Sequence, residues 1–129
     1  MPGPPPELRR GRGLSNRLSG AWGEELALRY LTQQGYELVE RNYRTRYGEL
    51  DLILRHQDTL VFAEVKLRRG VGFGDPLEAV TPRKQAAIRT LAERYLSEKQ
   101  PAFDAIRFDV VGILVGDGTR RIVHVEDAF

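Results

Sequence analysis

Tyr47-Gly48-Glu49-Leu50-Asp51-Leu52-Ile53-Leu54 and, after the polar break His56-Gln57-Asp58-Thr59, Leu60-Val61-Phe62-Ala63-Glu64-Val65-Lys66 are two short apolar runs with β-branched residues. They read as adjacent antiparallel strands. Period two places Glu49, Asp51 and Ile53 on one face of the first, with Leu50, Leu52 and Leu54 opposite. In the second it groups Leu60, Phe62, Glu64 and Lys66 against Val61, Ala63 and Val65. Charged residues inside otherwise apolar alternation are the anomaly that calls for a chemical explanation.

Working outward, the pattern from Leu18 to Gln34 is helical, with Gly35 as a natural C-cap. At 100° per residue Ala21, Ala27, Leu28 and Leu31 surround Glu24, while Trp22 and Leu26 fall on the other side. A carboxylate in an apolar sector needs a cation, a metal or hydrogen-bond donors; pairing with an arginine is the ordinary alternative. Tyr36 to Thr45 reads as a strand preceding the two above, giving a three-strand meander. Beyond Arg69, Gly70-Val71-Gly72-Phe73-Gly74-Asp75-Pro76 cannot be a regular element, and Phe73 in that loop either contacts a base or sugar or belongs to a plain connection.

Thr81-Pro82 starts a second helix that runs to about Ser97, with Ala87, Ile88, Leu91, Ala92 and Tyr95 on its apolar face. Lys84 on the same sector opposes the helix dipole, so either a nearby anion compensates it or its stem snorkels from an apolar face. Ile106–Val115 and Arg121–Val125 read as strands around a Gly116-Asp117-Gly118 hairpin turn. Asp109 interrupts the first of these, and a structural salt bridge with Arg107 or Arg44 is the expected explanation. Helix, three strands, helix, two strands predicts an α/β fold with a mixed β-sheet flanked by helices.

The 129 residues suffice for one domain: a basic arm over 1–15, rich in Pro, Gly and Arg, and a folded domain over 16–129. With 41% hydrophobic and 29% charged residues the composition is that of a globular protein. No run has the length and apolarity of a membrane span, and no signal core opens the chain, so a cytoplasmic protein is expected. There is no cysteine and there are two histidines, which excludes thiolate chemistry and disfavours a His-based metal site. Any metal would therefore be held by carboxylates, with Mg²⁺ or Mn²⁺ the fitting ions. The net charge is a mild +2, but Arg9, Arg10, Arg12 and Arg17 crowd the arm and Lys66, Arg68 and Arg69 the exit of the second strand. Both groups suit phosphate contacts or, more simply, a solvated tail and strand end.

If the faces of the two strands coincide, Asp51 and Glu64 converge with Lys66 beside them. Carboxylates so close are disfavoured unless a cation lies between them. The chemistry this fits is metal-assisted hydrolysis of a phosphodiester, Lys66 orienting or deprotonating water or neutralising charge on the phosphate. A carboxylate pair for glycoside hydrolysis fits less well, because Lys66 and the basic approaches favour a polyanion.

Asp51 followed by Glu64-Val65-Lys66 resembles the signature of the PD-(D/E)XK nuclease superfamily, with Leu50 where a proline usually stands. Gly20, Glu24, Leu31 and Gly35 resemble the first-helix pattern of its archaeal Holliday-junction resolvases. The closer resemblance is to the small bacterial YraN-like family of predicted endonucleases. It rests on Gly20–Ala27, Arg41–Arg44, Gly48–Ile53, Phe62–Lys66, Thr81–Gln85 and Arg107–Val110, which together span nearly all of the chain after the arm. The resemblance implies a restriction-endonuclease-like fold, a metal site of Glu24, Asp51 and Glu64, and Lys66 as catalytic lysine. It makes Gln85 an accessory residue. Glu49, Arg68, Arg69 and Lys84 are further candidates for accessory or nucleic-acid-binding roles. The expected function is an endonuclease for branched or damaged DNA, DNA being preferred over RNA. Symmetric cutting by a resolvase requires a homodimer, for which Trp22 and Leu26 are candidate contacts. The alternative is a nucleic-acid-binding or assembly factor that keeps the fold without turnover.

Overall fold

The computed structural model describes residues 14–70, 76–116 and 118–129. The expected loop contact Phe73 and the arm lie outside the described residues, except that Leu14 and Ser15 already belong to the first helix. The elements follow as α1 (Leu14–Gln33), β1 (Glu37–Thr45), β2 (Gly48–His56), β3 (Thr59–Arg69), a single 3₁₀ turn (Pro76–Ala79), α2 (Pro82–Lys99), β4 (Ala105–Gly116) and β5 (Thr119–Val125). The strands form one sheet in the order β1-β2-β3-β4-β5. All neighbours are antiparallel except β3 and β4, whose parallel pairing requires a crossover that α2 supplies. This is the α/β, restriction-endonuclease-like architecture, a mixed sheet flanked by helices.

The helices cover opposite faces, so the central strands are apolar on both sides. Leu26, Ala27 and Leu31 of α1 pack with Leu52, Leu54, Val61, Ala63, Val111 and Ile113. Ile88, Leu91, Ala92 and Tyr95 of α2 pack with Ile53, Leu60, Phe62, Phe108 and Val110. Phe62 stacks on Phe108 at 5.5 Å and meets Tyr95 edge-on at 6.0 Å. Thr81 caps α2 by accepting a hydrogen bond from the Lys84 N–H, with Pro82 at the first helical position as the sequence predicts. The chain turns out of α1 at Gly35, two residues past its end, whose φ of +94° is the left-handed conformation that glycine adopts without strain.

Two expectations about α1 need correction. Leu26 is buried and Trp22 packs against the same cluster, so neither is a free face for a second subunit. Ala21, assigned by periodicity to the apolar sector, is exposed. The reason is how α1 lies on the sheet: Gly23 faces Val65, Leu67 and Ile113, which turns Trp22 and Leu26 toward the strands.

The β1–β2 connection is the two-residue turn Arg46-Tyr47, closed by pairing of Thr45 with Gly48. The tip is seated on α2: a Cβ on Gly48 would come within 3.1 Å of Leu91, and its φ is +148°. Among the described residues no helix is long and apolar enough to cross a membrane.

Candidate metal and phosphodiester site

The site begins with a break in the alternation of β2. Leu52 and Leu54 pack beneath α1 as period two requires, but Leu50 packs with Tyr43 on the α2 side. Pairing between β2 and β3 stops at Leu52 and Ala63, one residue before Asp51 and Glu64 would meet. The strands therefore separate where the two carboxylates lie. Asp51 bridges the opening, its Oδ2 accepting a 2.9 Å hydrogen bond from the Val65 N–H. That bond replaces the ladder bond lost by the separation, which keeps a partly buried backbone donor satisfied.

Opposite Asp51 on β1 stands Asn42, between the pairs Arg41–Leu52 and Tyr43–Leu50. Its φ is +53°, a left-handed conformation inside a strand that asparagine tolerates better than most residues. The kink carries its side chain to α1, where Nδ2 donates to Glu24 Oε1 at 2.8 Å. Arg41 completes this contact, with a guanidinium nitrogen 4.0 Å from Glu24 and another 3.2 Å from Glu25. Glu24 is thus fixed by one amide and approached by one cation, combining the two readings that its sequence context left open.

Glu24, Glu49 and Asp51 each offer a carboxylate oxygen within 4.8 Å of the other two. Burial pushes the Asp51 carboxyl up to about 7, reinforced by repulsion from and a hydrogen bond with Glu64, against the opposing effects of the Val65 N–H and Lys66. Glu24 is raised as well, first by burial and then by Asp51 and Glu49, with Asn42 and Arg41 acting the other way. Glu24 and Asp51, half-buried side by side, are each costly to ionise, and a divalent cation relieves that cost. An all-oxygen donor set without histidine or cysteine suits a hard ion. The residues present therefore fit a divalent metal.

Glu64 sits on the far side of the opening and is only 5% exposed. Lys66 Nζ lies 3.5 Å and Lys84 Nζ 3.9 Å from its Oε1. The lysine in the first turn of α2 therefore does have the nearby anion that its unfavourable dipole position called for. Of the remaining candidates, Glu49 belongs to the acidic group and the others stand further out. Arg68 and Arg69 are exposed at the end of β3, and Gln85 donates its side-chain amide to the Val80 carbonyl at 3.0 Å. Glu49 pairs with Arg44 at 3.3 Å while facing the acidic group.

Sequence reasoning missed Asn42 as a partner of Glu24. The only available signal was an asparagine inside a strand-like run, a residue type that strands disfavour. It also missed most of a second polar cluster under α1. Asp109 is fully buried and accepts from Arg107 Nε at 2.8 Å and Nη2 at 2.9 Å and from the Asp127 N–H at 3.0 Å, with His124 Nε2 at 2.7 Å. Tyr36 links this group to Glu126 and stacks on His56 at 4.2 Å.

The fold and site define a class: a nuclease-like α/β chain with a clustered acidic triad at the mouth of a divided strand pair. Residues 23–113 match the family described as "Uncharacterised protein family UPF0102". A UPF0102 protein of Syntrophomonas wolfei is 53% identical over 114 residues, covering 88% of this chain and 99% of the relative. One from Rhodococcus opacus is 54% identical over 115 residues, covering 88% and 98%. The match reaches Dictyoglomus thermophilum at 42% identity over 102 residues, 79% of this chain and 86% of the relative. The chain belongs to the UPF0102 family.

Proposed function

We propose that this protein is a metal-dependent endonuclease that hydrolyses phosphodiester bonds in nucleic acid, with DNA preferred and branched or damaged DNA as the substrate. The observation that carries the reading is the divided strand pair. It brings Asp51 and Glu64 together, with Glu24 and Glu49 on one side and Lys66 and Lys84 on the other. Glu24, Glu49 and Asp51 would hold Mg²⁺ or Mn²⁺, with Glu64 across the opening as a further ligand. When bound, such an ion supplies Lewis-acid polarisation of a phosphoryl oxygen and a lowered pKa for water.

The chain's own residues do the rest. Lys66 shares the Glu64 carboxylate with Lys84 and is free to pivot toward a phosphate, where its charge offsets the negative charge that grows in the transition state. Lys84 brings a second cation to the same carboxylate from α2 and holds the adjacent phosphate. Gln85 steadies the start of that helix through Val80, and Arg68 and Arg69 extend the positive surface along the β3 exit. In this reading residues 16–129 are the catalytic domain and the basic arm over 1–15 adds phosphate contacts. This reading goes with a cytoplasmic protein. Paired cuts on a symmetric junction call for a homodimer assembled through a face other than Trp22 and Leu26.

The test is purified protein with Mg²⁺ or Mn²⁺ on linear, flapped, nicked and four-way DNA and on RNA. Asp51→Ala, Glu64→Ala and Lys66→Ala are run in parallel. Cleavage that falls by about a hundredfold or more in each variant is expected. Cleavage unchanged in all three would overturn the assignment. Binding without cleavage by the wild type would make the protein a nucleic-acid-binding factor instead.

A further inference from the structure

Among the described residues Tyr47 is the most exposed of the large apolar side chains, at 64%. It stands at the β1–β2 tip, two residues before Glu49 and four before Asp51. Two guanidinium groups lie over its ring, Arg46 from the turn and Arg94 from α2, each 5.1 Å from the centroid. The tip is held in place from beneath by the close approach of Gly48 to Leu91. A solvent-facing aromatic ring beside two exposed arginines is more than hairpin closure requires, since the Thr45–Gly48 pair already closes the turn.

The geometry points to a binding station for an unpaired nucleotide: we propose that a base stacks on Tyr47 while Arg46 and Arg94 take the phosphates beside it. This rests on the endonuclease reading and deepens it, by specifying a substrate with an unpaired segment next to the cut. At 5.1 Å the arginines are not in tight stacking contact with the ring, and both are exposed, so either can yield a face to a base and turn to a phosphate. From Gly48 at the start of β2 to Asp51 the strand rises about 10 Å, roughly three stacked nucleotides, and Tyr47 stands one residue beyond it in the turn. Lys84 and Arg94 lie ten positions apart in α2, about 15 Å along the axis, and on one side of it, since Lys84 reaches Glu64 while Arg94 reaches Tyr47. Cations thus mark both ends of one path, from the carboxylates to the aromatic tip. A continuous duplex cannot offer a base face to Tyr47, but a flap, a single strand or a frayed branch can.

The experiment is fluorescence anisotropy with labelled single-stranded, flapped and fully paired DNA. It is done in EDTA so that no strand is cut, on the full chain and on Tyr47→Ala, Tyr47→Phe and Arg94→Ala. Loss of one stacked base predicts that Tyr47→Ala weakens single-strand and flap binding about tenfold, with less than about twofold on paired duplex. Tyr47→Phe retains the affinity, and Arg94→Ala weakens binding and lowers its salt dependence. Circular dichroism of each variant checks that the fold is kept. If the wild type binds and Tyr47→Ala binds all three substrates equally well, or loses all three alike, the station is wrong while the endonuclease reading stands. If the wild type binds none of them, the station falls, and the endonuclease reading is decided by the cleavage test in Mg²⁺ or Mn²⁺.

Discussion

Asn42 shows how a single residue prepares the acidic group. Its left-handed backbone costs about 1–2 kcal/mol for an ordinary residue, less for asparagine, and such strain inside a strand persists where the surroundings hold it. The return on that strain is the amide on Glu24 Oε1, which fixes the carboxylate of a residue in the acidic cluster. Partners that orient a metal ligand typically account for about 10–100-fold in metal affinity. Asn42→Gly keeps the backbone conformation and removes only the amide. It should weaken Mn²⁺ binding by about tenfold with little loss of stability. Asn42→Ala should lose the same affinity and about 1 kcal/mol of stability in addition, because alanine is strained at positive φ. Titration calorimetry with Mn²⁺ and urea denaturation separate the two effects. Metal binding by Asn42→Gly equal to the wild type would show that Glu24 needs no such support.

At the scale of elements, the closure of β4, β5 and the end of α1 rests on Asp109. Burial alone would raise its carboxyl, but hydrogen bonds from His124, Arg107 and the Asp127 N–H outweigh it and hold the group below the usual carboxylate range. Around this cluster stand Tyr30 and Tyr36 from the α1 side, His56 from β2 and Glu126 after β5. Because the folded-state pKa is depressed, the stabilisation is complete above the unfolded value of about 4 and fades as pH falls below it. Asp109→Asn should cost about 3 kcal/mol at neutral pH by leaving the Arg107 charge unpaired, and the gap to the wild type should narrow below pH about 4. Denaturation at several pH values measures this, and a gap that is constant down to acid pH would refute it. The elements themselves were legible in the sequence: the polar break between β2 and β3, the Thr81-Pro82 start of α2 and the hairpin residues are local signals. The Arg107–Asp109 pair was also readable, being two residues apart. Its link to His124 and Asp127 was not, because only the pairing of β4 with β5 brings these together. The same holds for Leu50, whose move to the α2 side is imposed by tertiary packing where β2 leaves β3, and for Trp22 and Leu26, covered because of how α1 lies on the sheet.

For the whole molecule, a cluster of acids that serves a cation is a stability cost when no cation is bound. Asp51 is raised to about 7 by burial and by Glu64, so ionising it in the folded chain is unfavourable. Asp51→Asn removes that charge and still presents an oxygen to the Val65 N–H, so the bridge across the divided strands survives. In EDTA at mildly alkaline pH the variant should therefore be more stable than the wild type, by about 1 kcal/mol or more. With metal the order should reverse. An ion that binds the folded chain alone stabilises it by about 2.7 kcal/mol at a hundred times its Kd, and only the wild type keeps the full donor set. Thermal melts of both proteins with EDTA, Mg²⁺ and Mn²⁺ decide the matter without any substrate. A crossing of the two Tm values between EDTA and metal is the expected result. A variant less stable in EDTA, or one that gains as much from metal as the wild type, would mean that the acidic group is held by Asn42, Arg41 and Arg44 for structure and not for a cation.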